Sequence, residues 1–214
     1  MIGGMLTKIP AGLFEWIIVA DNGSTDATAE IASAAGAIVT REPERGYGAT
    51  CMCALAALPA DAGIVVFMQA DCSEDAREVH LLLAPILDGR ADMVIGSRTL
   101  GVAEPGALLG RQRFGNRVVV FLMRVLFGCQ ATDIGPFRAI RVDALRRLNM
   151  VDRNYGWTVE MQIKASRARL RVIEVPVGYR VRAAGENKVS GNLWNSVLAG
   201  LKMIFVVLKL RLCR

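Results

Sequence analysis

The stretch Glu15-Trp-Ile-Ile-Val-Ala20, with the Asp21-Asn-Gly-Ser-Thr-Asp26 that follows it, decides the fold class of this chain. Its first half is a short, uninterrupted apolar run, which predicts a strand buried on both faces. Its second half contains the Gly and Asx residues of a sharp turn. Ser24 or Thr25 can cap a helix that we predict over Ala27 to Ala35. A strand, a turn and a helix in this order indicate an α/β unit.

The same alternation continues outward to residue 96. Further strands are predicted at Ala37–Thr40, Gly63–Met68 and Ala91–Gly96, with helices at 47–58 and Asp75–Leu87 between them. Near-continuous apolar strands separated by helices predict a mostly parallel, Rossmann-like sheet with helices on both faces. Ligands bind such sheets beyond the carboxyl ends of the strands. Asp21, Asp71 and Arg98 each follow a predicted strand end, so we expect a binding site at this edge.

The second half of the chain is more helical and more basic. A helix is predicted over Arg111–Phe127, a turn entering a short strand over Thr132–Ile140, a helix over Trp157–Ala168, a strand over Arg171–Val177 and a basic loop over Arg180–Lys188. The last element, Leu193–Leu212, is predicted to be an amphipathic helix, because Leu193, Val197, Leu201, Ile204 and Leu208 recur at three- and four-residue spacing. It is too short and too charged to cross a bilayer.

Charge divides the chain into two unequal halves. Residues 1–100 contain 6 basic and 13 acidic residues, whereas residues 101–214 contain 20 basic and 7 acidic residues. An acidic half can hold a divalent cation, and a basic half suits phosphates or an anionic membrane surface. A basic domain can also bind nucleic acid, but the chain has no basic–aromatic interleaving of the kind used by single-strand binders. The sequence therefore favours phosphate or membrane partners over nucleic acid.

Composition narrows the class of protein further. Hydrophobic residues make up 53% and charged residues 21% of the 214 residues, which excludes a disordered or fibrous chain. The five cysteines form no CxxC pair, and we interpret them as reduced thiols of a cytosolic protein. The single His80 has no histidine partner, so a helix position is favoured over a metal ligand. No signal peptide is predicted at the N-terminus.

Three groups of residues can carry chemistry, and each also has a structural interpretation. Asp21 is placed to contact a base or a ribose, although Asx turns of this kind often serve only as caps. The turn Gln69-Ala-Asp71 is a possible site for Mg²⁺ or Mn²⁺, although a lone Asp at a strand end is more often a cap. Arginines suit phosphates through bidentate hydrogen bonds, although a scattered set can be a solvated surface. That set comprises Arg98, Arg113, Arg138, Arg180 and Arg182, with Lys188.

Taken together, eight segments resemble family 2 glycosyltransferases, specifically the dolichyl- or polyprenyl-phosphate sugar synthases that make mannosyl or glucosyl lipids. They occur in family order and cover nearly the whole chain. The segments are Asp21–Asp26, Arg45-Gly-Tyr-Gly48, Gln69-Ala-Asp71, Gly96-Ser-Arg98, Arg113–Asn116, Thr132–Ala139, Tyr155–Met161 and Glu174–Arg180, the last continuing to Lys188.

The resemblance implies a GT-A fold and a metal-dependent hexosyl transfer with inversion, from a nucleotide-diphosphate sugar to a polyprenyl or dolichyl phosphate. It implies that Asp71 holds the divalent cation (Mg²⁺ or Mn²⁺) and that Arg182 and Lys188 close on the donor. The donor would also contact Asp21, Arg45, Gly46, Gly48 and Gln69, and Arg98 and Arg113 would receive the acceptor phosphate. A phosphate acceptor needs no strong base; for a sugar hydroxyl, Glu160 is the first candidate, or else a structural residue paired with an arginine.

The resemblance also implies an organisation and a location. Residues 1–191 are expected to form the glycosyltransferase domain, and residues 192–214 a C-terminal amphipathic helix. Together with Arg111–Phe127, that helix is expected to lie at a membrane interface; the alternative is that both helices pack on the sheet as ordinary core helices. The protein is therefore expected to be cytoplasmic and peripheral, at the inner face of a membrane.

Two departures from the family keep other functions open. The family usually begins with a strand reading roughly Val-Val-Ile-Pro-Ala-Tyr-Asn-Glu, whereas this sequence starts at Met1-Ile-Gly-Gly, which resembles the following helix. The family's Asp-x-Asp is Gln69-Ala-Asp71 here, and Cys72 replaces the usual Gly. The alternatives are a non-catalytic relative that binds nucleotide or lipid, and a basic nucleic-acid-binding α/β domain. Hydrolysis of a donor sugar with Mn²⁺ separates the first alternative from the enzyme.

Overall fold

The computed structural model describes residues 1–182 and 193–212, which form alternating strands and helices. The first half contains α1 (Ile2–Leu6), β1 (Ile18–Asp21), α2 (Thr28–Ala34), β2 (Ile38–Arg41), α3 (Tyr47–Ala56), β3 (Ile64–Phe67), a 3₁₀ turn (Ala76–Glu78), α4 (Val79–Leu87) and β4 (Met93–Ser97). The second half contains α5 (Gly110–Phe127), β5 (Arg138–Arg141), α6 (Val142–Leu148), α7 (Trp157–Arg167), β6 (Val172–Pro176) and α8 (Leu193–Leu212). The α/β class predicted from the sequence is confirmed.

The strands form two separate sheets. β1 and β2 make a parallel two-stranded ribbon, with Ile18 opposite Ile38. The other four strands are ordered β3-β5-β4-β6. In this sheet β5 runs antiparallel to both neighbours, whereas β4 and β6 are parallel. Three of the four strands therefore share one direction, and their carboxyl ends lie at one edge.

Strand β5 is the detail that the sequence does not reveal. The sequence predicted a mostly parallel sheet, and β5 is an antiparallel strand inserted between β3 and β4. Its Ala139 and Ile140 are fully buried, so this short segment is held in the middle of the sheet by packing on both faces. It follows α5 and the segment 128–137, and it enters the sheet antiparallel to both β3 and β4.

Both faces of the larger sheet are covered by helices. Because side chains alternate along a strand, Met93 and Ile95 of β4 point to one face, where they pack with Trp157 of α7. Val94 lies on the other face, where it packs with Leu82 and Ile86 of α4. This two-sided covering explains why β4 is buried at every position.

Helix α8 packs on α5 and α7 in a further apolar cluster. Val206 and Val207 of α8 are buried there against Val119 and Met123 of α5 and Val159 of α7. One face of α8 thus belongs to the core, while its other face remains exposed. Within the described part of the chain, no helix has the length and hydropathy needed to cross a membrane.

The ribbon and strand β3 differ from β4 in their exposure. All four residues of β1 and three of the four in β3 are only half-buried. Among the described residues, each of these two strands has a neighbouring strand on one side only, so that part of the chain leaves each with an open edge. Ile17 and Val19 pack with Met68 and with Ile2 and Met5 of α1, which places the ribbon beside the carboxyl end of β3.

Candidate active site

The first part of the site is the turn after β1. The Oδ1 atom of Asp21 accepts a hydrogen bond from the Ser24 amide at 2.9 Å. The Asn22 side-chain amide donates to the carbonyls of Glu42 and Glu44, both at 2.7 Å, and its oxygen accepts from the Gly46 amide. Asn22 therefore ties this turn to the loop that contains Arg45 and Gly46. The contact of Asp21 with a nucleoside stays a prediction.

Gly46 and Gly48 are required by the close approach of another backbone segment. A Cβ atom on Gly46 would lie 2.2 Å from the Arg153 carbonyl oxygen, and one on Gly48 would lie 2.1 Å from that of Asp152. The space is used for a hydrogen bond from the Ala49 amide to the Arg153 carbonyl at 2.8 Å. The exposed Arg45 side chain lies beside this contact in sequence. A direct role of these glycines toward a donor remains a prediction.

The second part of the site is the turn after β3, which carries Asp71. The Oδ1 atom of Asp71 accepts hydrogen bonds from the Ser73 amide at 3.0 Å and from the Ser73 hydroxyl at 2.5 Å. Its Oδ2 atom lies 2.8 Å from Nε of Arg182. Cys72 adopts a positive φ of 61°, in a turn tight enough to favour glycine. Both oxygens of Asp71 therefore have partners within the chain.

Glu74 in the same turn is a buried carboxyl group that the sequence analysis did not single out. Its Oε2 atom accepts a hydrogen bond from the Gln69 amide at 2.8 Å, and its Oε1 atom is buried without a partner. Burial raises the pKa of Glu74 from 4.5 to about 8, and the charge of Asp71 adds to the rise. Its position within the acidic run from Asp71 to Asp75, directly after a strand, is the signal that points to it.

The segment after β6 connects this turn to the rest of the site. The Arg180 amide donates to the Ser73 carbonyl at 2.8 Å, and its guanidinium pairs with Asp75 at 2.7 Å. The Tyr179 amide donates to the Val102 carbonyl at 3.0 Å. Residues 178–182 thus lie between the Asp71 turn and the loop that follows β4. Lys188, predicted further along the same loop, lies outside the described residues.

The third part of the site is an ion pair at the end of β4. Arg98 donates bidentate hydrogen bonds to Asp133, from Nε to Oδ2 at 2.8 Å and from Nη2 to Oδ1 at 2.7 Å. Its guanidinium also lies over the ring of Tyr179, 5.1 Å from the centroid. Asp133 is completely buried. The charge of Arg98 is therefore largely balanced within the protein, which the sequence did not predict.

The turn that carries Asp133 is held from several sides. Glu174 of β6 accepts hydrogen bonds from the Thr132 amide at 2.9 Å and the Thr132 hydroxyl at 2.7 Å. Asn116 of α5 donates to the Thr132 carbonyl at 2.9 Å and accepts from the Ile134 amide at 3.0 Å. These residues were noted only as parts of matching segments. Their roles come from contacts between elements distant in sequence, so no local pattern could have revealed them.

A cavity of about 320 Å³ opens beside this ion pair. It is lined by Arg98, Thr99, Gly101, Ala103, Leu108, Arg113, Asn116, Arg117 and Thr132. Arg113 donates to the Leu108 carbonyl at 3.3 Å. Among residues 1–182 and 193–212, neither Arg113 nor Arg117 has a carboxylate partner. The cavity is therefore positively charged because of Arg113 and Arg117 more than because of Arg98.

Glu160 and Arg138, which the sequence analysis also singled out, are buried and bonded to other parts of the protein. Glu160 is 1% exposed, pairs with Lys164 at 2.7 Å and accepts a hydrogen bond from the Asp152 amide. It does not line the cavity, and its use as a base stays an untested prediction. Arg138 is completely buried and donates to the carbonyls of Thr158, Ile134 and Gly135.

The residues around Asp71 can fit a divalent cation only as a shared site. No group of three or more His, Cys, Asp or Glu side chains comes together anywhere in the described ranges. Mg²⁺ is often held by one or two carboxylates together with substrate phosphates. Asp71 supplies one such carboxylate. Gln69, which stands where the family has its other Asp, is uncharged and supplies none. Oδ2 of Asp71, which lies against Arg182, is the carboxylate oxygen that would hold a cation if Arg182 moved away.

Comparison with known proteins agrees with this geometry. The model for "Glycosyl transferase family 2" matches residues 10–148. The chain belongs to glycosyl transferase family 2. It is 38% identical over 197 residues to an uncharacterised glycosyltransferase of Mycobacterium tuberculosis, covering 91% of this chain and 86% of the relative. It is 28% identical over 192 residues to the undecaprenyl-phosphate mannosyltransferase of Micrococcus luteus, covering 83% and 76% of the two chains.

A solved structure supports the fold of this glycosyltransferase. The glucosyl-3-phosphoglycerate synthase of Mycobacterium tuberculosis, in complex with Mn²⁺, UDP-glucose and phosphoglyceric acid, aligns with a TM-score of 0.75. The alignment covers 97% of this chain and 74% of that one, at 24% sequence identity. The GT-A fold expected from the sequence is confirmed. That protein's ligands are its own and, at this identity, do not assign a substrate here.

Proposed function

We propose that this family 2 glycosyltransferase transfers a hexosyl group from a nucleotide-diphosphate sugar to a polyprenyl or dolichyl phosphate, with inversion. The supporting observation is the cavity with Arg113 and Arg117, which lies beyond β4 at the edge of the sheet where Asp71 follows β3. Residues 178–182 contact both places. A donor diphosphate at Asp71 and an acceptor phosphate in the cavity would then meet at one edge.

On the donor side, Asp71 would hold the divalent cation, and Asp21 and the Arg45–Gly48 turn would border the nucleotide. When bound, the cation neutralises negative charge that develops on the leaving diphosphate. Arg182 lies at Asp71 and would add a second positive charge near the same oxygens. The chain's own residues therefore supply charge and orientation at the leaving group.

On the acceptor side, an acceptor phosphate would bind Arg113 and Arg117, with Arg98 held in place by Asp133. An acceptor phosphate oxygen attacks the anomeric carbon from the face opposite the diphosphate. A new carbon–oxygen bond forms as the bond to the diphosphate breaks, so the configuration inverts and the nucleoside diphosphate leaves. Because the attacking phosphate is already anionic at neutral pH, no general base is required.

Helix α5 gives a physical reason to prefer a lipid-linked phosphate. Arg117 lines the cavity, and Phe114 and Phe121 are three and four residues away, on the same face of the helix. These two side chains are 69% and 64% exposed. A phosphate in the cavity would therefore have an apolar surface directly beside it, which suits a polyprenyl chain.

The exposed face of α8 extends the apolar surface. Its exposed large apolar side chains recur at helical spacing, and they are Trp194, Val197, Leu198, Leu201, Phe205, Leu208 and Leu212. Lys209 and Arg211 of α8 and Arg124 of α5 supply exposed cations on the same two helices. Apolar insertion combined with basic side chains is typical of peripheral binding to anionic membranes. This surface supports our proposal that the protein binds peripherally at the cytoplasmic face of a membrane.

Transfer assays with matched acceptors test the reaction. With Mn²⁺ and a set of nucleotide-diphosphate sugars, we expect product on polyprenyl phosphate in vesicles and none on the corresponding polyprenol. Arg113→Ala and Arg117→Ala should each raise the acceptor KM about tenfold and leave donor affinity unchanged, because each removes one charged hydrogen bond. Transfer to soluble phosphorylated acids but not to the lipid phosphate would contradict the proposed acceptor.

Vesicle flotation tests the membrane surface. The protein should float with anionic vesicles and float less in high salt. Phe121→Glu with Phe205→Glu should abolish flotation, whereas Leu87→Glu, at a residue 70% exposed on α4, should not. A folded protein that stays wholly in the soluble fraction would contradict membrane binding.

The contacts of Asp71 favour a second candidate function, in which the protein binds a nucleotide without transferring a sugar. Gln69 supplies no charge, and Arg182 already pairs with the remaining carboxylate. A relative that binds nucleotide without turning it over would show this arrangement too. Such a protein would bind a nucleoside diphosphate in calorimetry, yet neither transfer nor hydrolyse any donor sugar with Mn²⁺.

A further inference from the structure

We propose that Arg182 competes with the divalent cation for Asp71. The guanidinium of Arg182 lies at Oδ2 of Asp71, and cation binding displaces it. The inference rests on the proposed function only in taking Asp71 as the cation ligand. It adds a second role for Arg182, before any donor is bound.

The contact itself shows why the exchange is feasible. Nε of Arg182 lies 2.8 Å from Oδ2 of Asp71, yet its N–H makes no aligned hydrogen bond. The other carboxylate oxygen is already bound by the Ser73 amide and hydroxyl. The side chains of Arg182 and Asp71 are 28% and 11% exposed. Arg182 therefore covers, by charge attraction, the one oxygen of Asp71 that Ser73 does not bind, at a place open enough for the guanidinium to leave.

The neighbouring carboxyl groups do not need Arg182. Asp75 has two guanidinium partners of its own, Arg77 and Arg180, each at 2.7 Å. Glu74 is buried against the Gln69 amide. Asp71 is thus the one member of this acidic turn for which Arg182 is the sole ionic partner among the described residues. In the part of the chain that the structure describes, no other cation would balance Asp71 once Arg182 is removed.

The backbone delivers Arg182 to this position. Arg180 is fixed to the turn by its amide, which donates to the Ser73 carbonyl, and the Val181 amide donates to the Glu104 carboxylate at 2.9 Å. The next residue is then held above Asp71. A guanidinium displaced from Asp71 remains near the bound cation's other ligands, where the donor's phosphates would offer it new partners.

Two consequences follow for binding. Without donor, Arg182 lowers the affinity of Asp71 for a cation, because the cation must first break the ion pair. With a nucleoside diphosphate present, the phosphates attract the displaced guanidinium and the penalty falls. Cation and nucleoside diphosphate should therefore bind cooperatively, and the cooperativity should depend on the charge at residue 182.

Mn²⁺ binding to the donor-free protein, followed by electron paramagnetic resonance and calorimetry, tests the competition. Arg182→Gln and Arg182→Ala should each bind Mn²⁺ about threefold tighter or more, the scale set by a partly exposed ion pair. Arg182→Lys, which keeps the charge, should bind as the wild type does. Arg180→Gln is the matched control: it removes the same charge from the same segment, but from Asp75. Asp71→Asn should remove the gain from Arg182→Gln.

The outcomes separate this inference from the proposed reaction. Equal or weaker Mn²⁺ binding by folded Arg182→Gln overturns the competition, as does an equal gain in Arg180→Gln or a gain that survives Asp71→Asn. Absence of measurable Mn²⁺ binding in both wild type and Arg182→Gln also overturns it. None of these measurements uses a sugar donor or an acceptor. A protein that transfers no sugar but shows the Arg182-dependent change keeps the inference while losing the proposed function.

Discussion

The two sides of the candidate site rest on different kinds of strand. The donor side, with Asp21 and Asp71, follows β1 and β3, which are half-buried and have open edges. The acceptor side, with Arg98, follows β4, which is buried throughout and paired on both sides. The acceptor side is thus built into the core, whereas the donor side is held mainly by contacts between loops.

The two sides also balance charge differently. The Arg98 guanidinium is matched by Asp133, which is completely buried and fixed by the turn around it. Asp71 is matched by Arg182, whose side chain is 28% exposed and whose contact is poorly aligned. Buried pairs of the first kind are expensive to break, and partly exposed pairs of the second kind are not. We therefore expect substitutions in the Arg98–Asp133 pair to change stability and those in the Asp71–Arg182 pair to change binding and turnover.

Asp133→Ala should have the largest effect on stability. It leaves the Arg98 guanidinium nearly buried without its counter-charge, so the free energy of unfolding should fall by about 3–5 kcal/mol. Asp71→Ala should lower it by less than about 1 kcal/mol. Urea unfolding measures both. The double variant Arg98→Met with Asp133→Ala should recover much of the loss, and equal losses for Asp133→Ala and Asp71→Ala would contradict the comparison.

Asp71→Asn should have the largest effect on the reaction. It keeps the shape of the side chain and removes the charge that would hold the cation, so turnover should fall about a hundredfold. Stability should change little. Steady-state assays across a range of Mn²⁺ concentrations measure the effect. Unchanged turnover at saturating Mn²⁺ would show that Asp71 does not hold the metal.

The sequence predicted the donor side better than the acceptor side. Apolar runs placed β1, β3 and β4, and the residues that follow them could be assigned to one edge because parallel strands end there. A turn entering a short strand was expected over Thr132–Ile140, but nothing in the four residues Arg138–Arg141 reveals that they pair antiparallel between β3 and β4. Helix α6, which starts directly after β5, was not predicted.

The ion pairs that decide the electrostatics of the site could not be predicted from the sequence, for a different reason. Arg98 and Arg182 were both singled out as phosphate ligands, since arginines at strand ends suit phosphates. Their partners, Asp133 and Asp71, are far away along the chain and come near them only in the folded protein. A residue-type pattern identifies a charge, but only packing shows whether that charge is already balanced.

An added strand tests whether the open edges weaken the donor side. An N-terminal extension resembling the family's Val-Val-Ile-Pro-Ala-Tyr-Asn-Glu strand should pair with an open edge and raise stability by about 2 kcal/mol, from several cross-strand contacts. The melting temperature should rise by several degrees and donor affinity should increase. An extension of equal length with Ser and Gly in place of the apolar residues is the control. Equal melting temperatures and equal donor affinity for the two extended chains would refute the effect.

Glu74→Gln tests the buried carboxyl group on the donor side. The folded-state pKa of Glu74 is about 8 against an ordinary 4.5, so the folded protein holds a proton that the unfolded chain releases over that range. The free energy of unfolding therefore falls as the pH rises from 4.5 to about 8. Glutamine does not titrate. The variant should therefore be more stable than the wild type by about 1–2 kcal/mol at about pH 9 and equally stable at about pH 5. The exposed Glu15→Gln is the control, and a pH-independent difference would contradict the buried, protonated state.

The smallest effect concerns the backbone of the Asp71 turn. Cys72 has a φ of 61°, a conformation that costs a residue with a Cβ about 1 kcal/mol and glycine almost nothing. Replacing Cys72 also removes a buried thiol that packs near Met68, so the clean comparison is between two variants that both lack it. Cys72→Gly should be more stable than Cys72→Ala by about 1 kcal/mol, even though glycine has more freedom in the unfolded chain. At residue 139 of β5, on the acceptor side, the order of the two residues should be reversed. Ala139→Gly should lower the stability there, because this strand residue is buried and its backbone is extended. Urea unfolding of these chains decides it: if Cys72→Ala is the more stable of the pair, the turn is not strained.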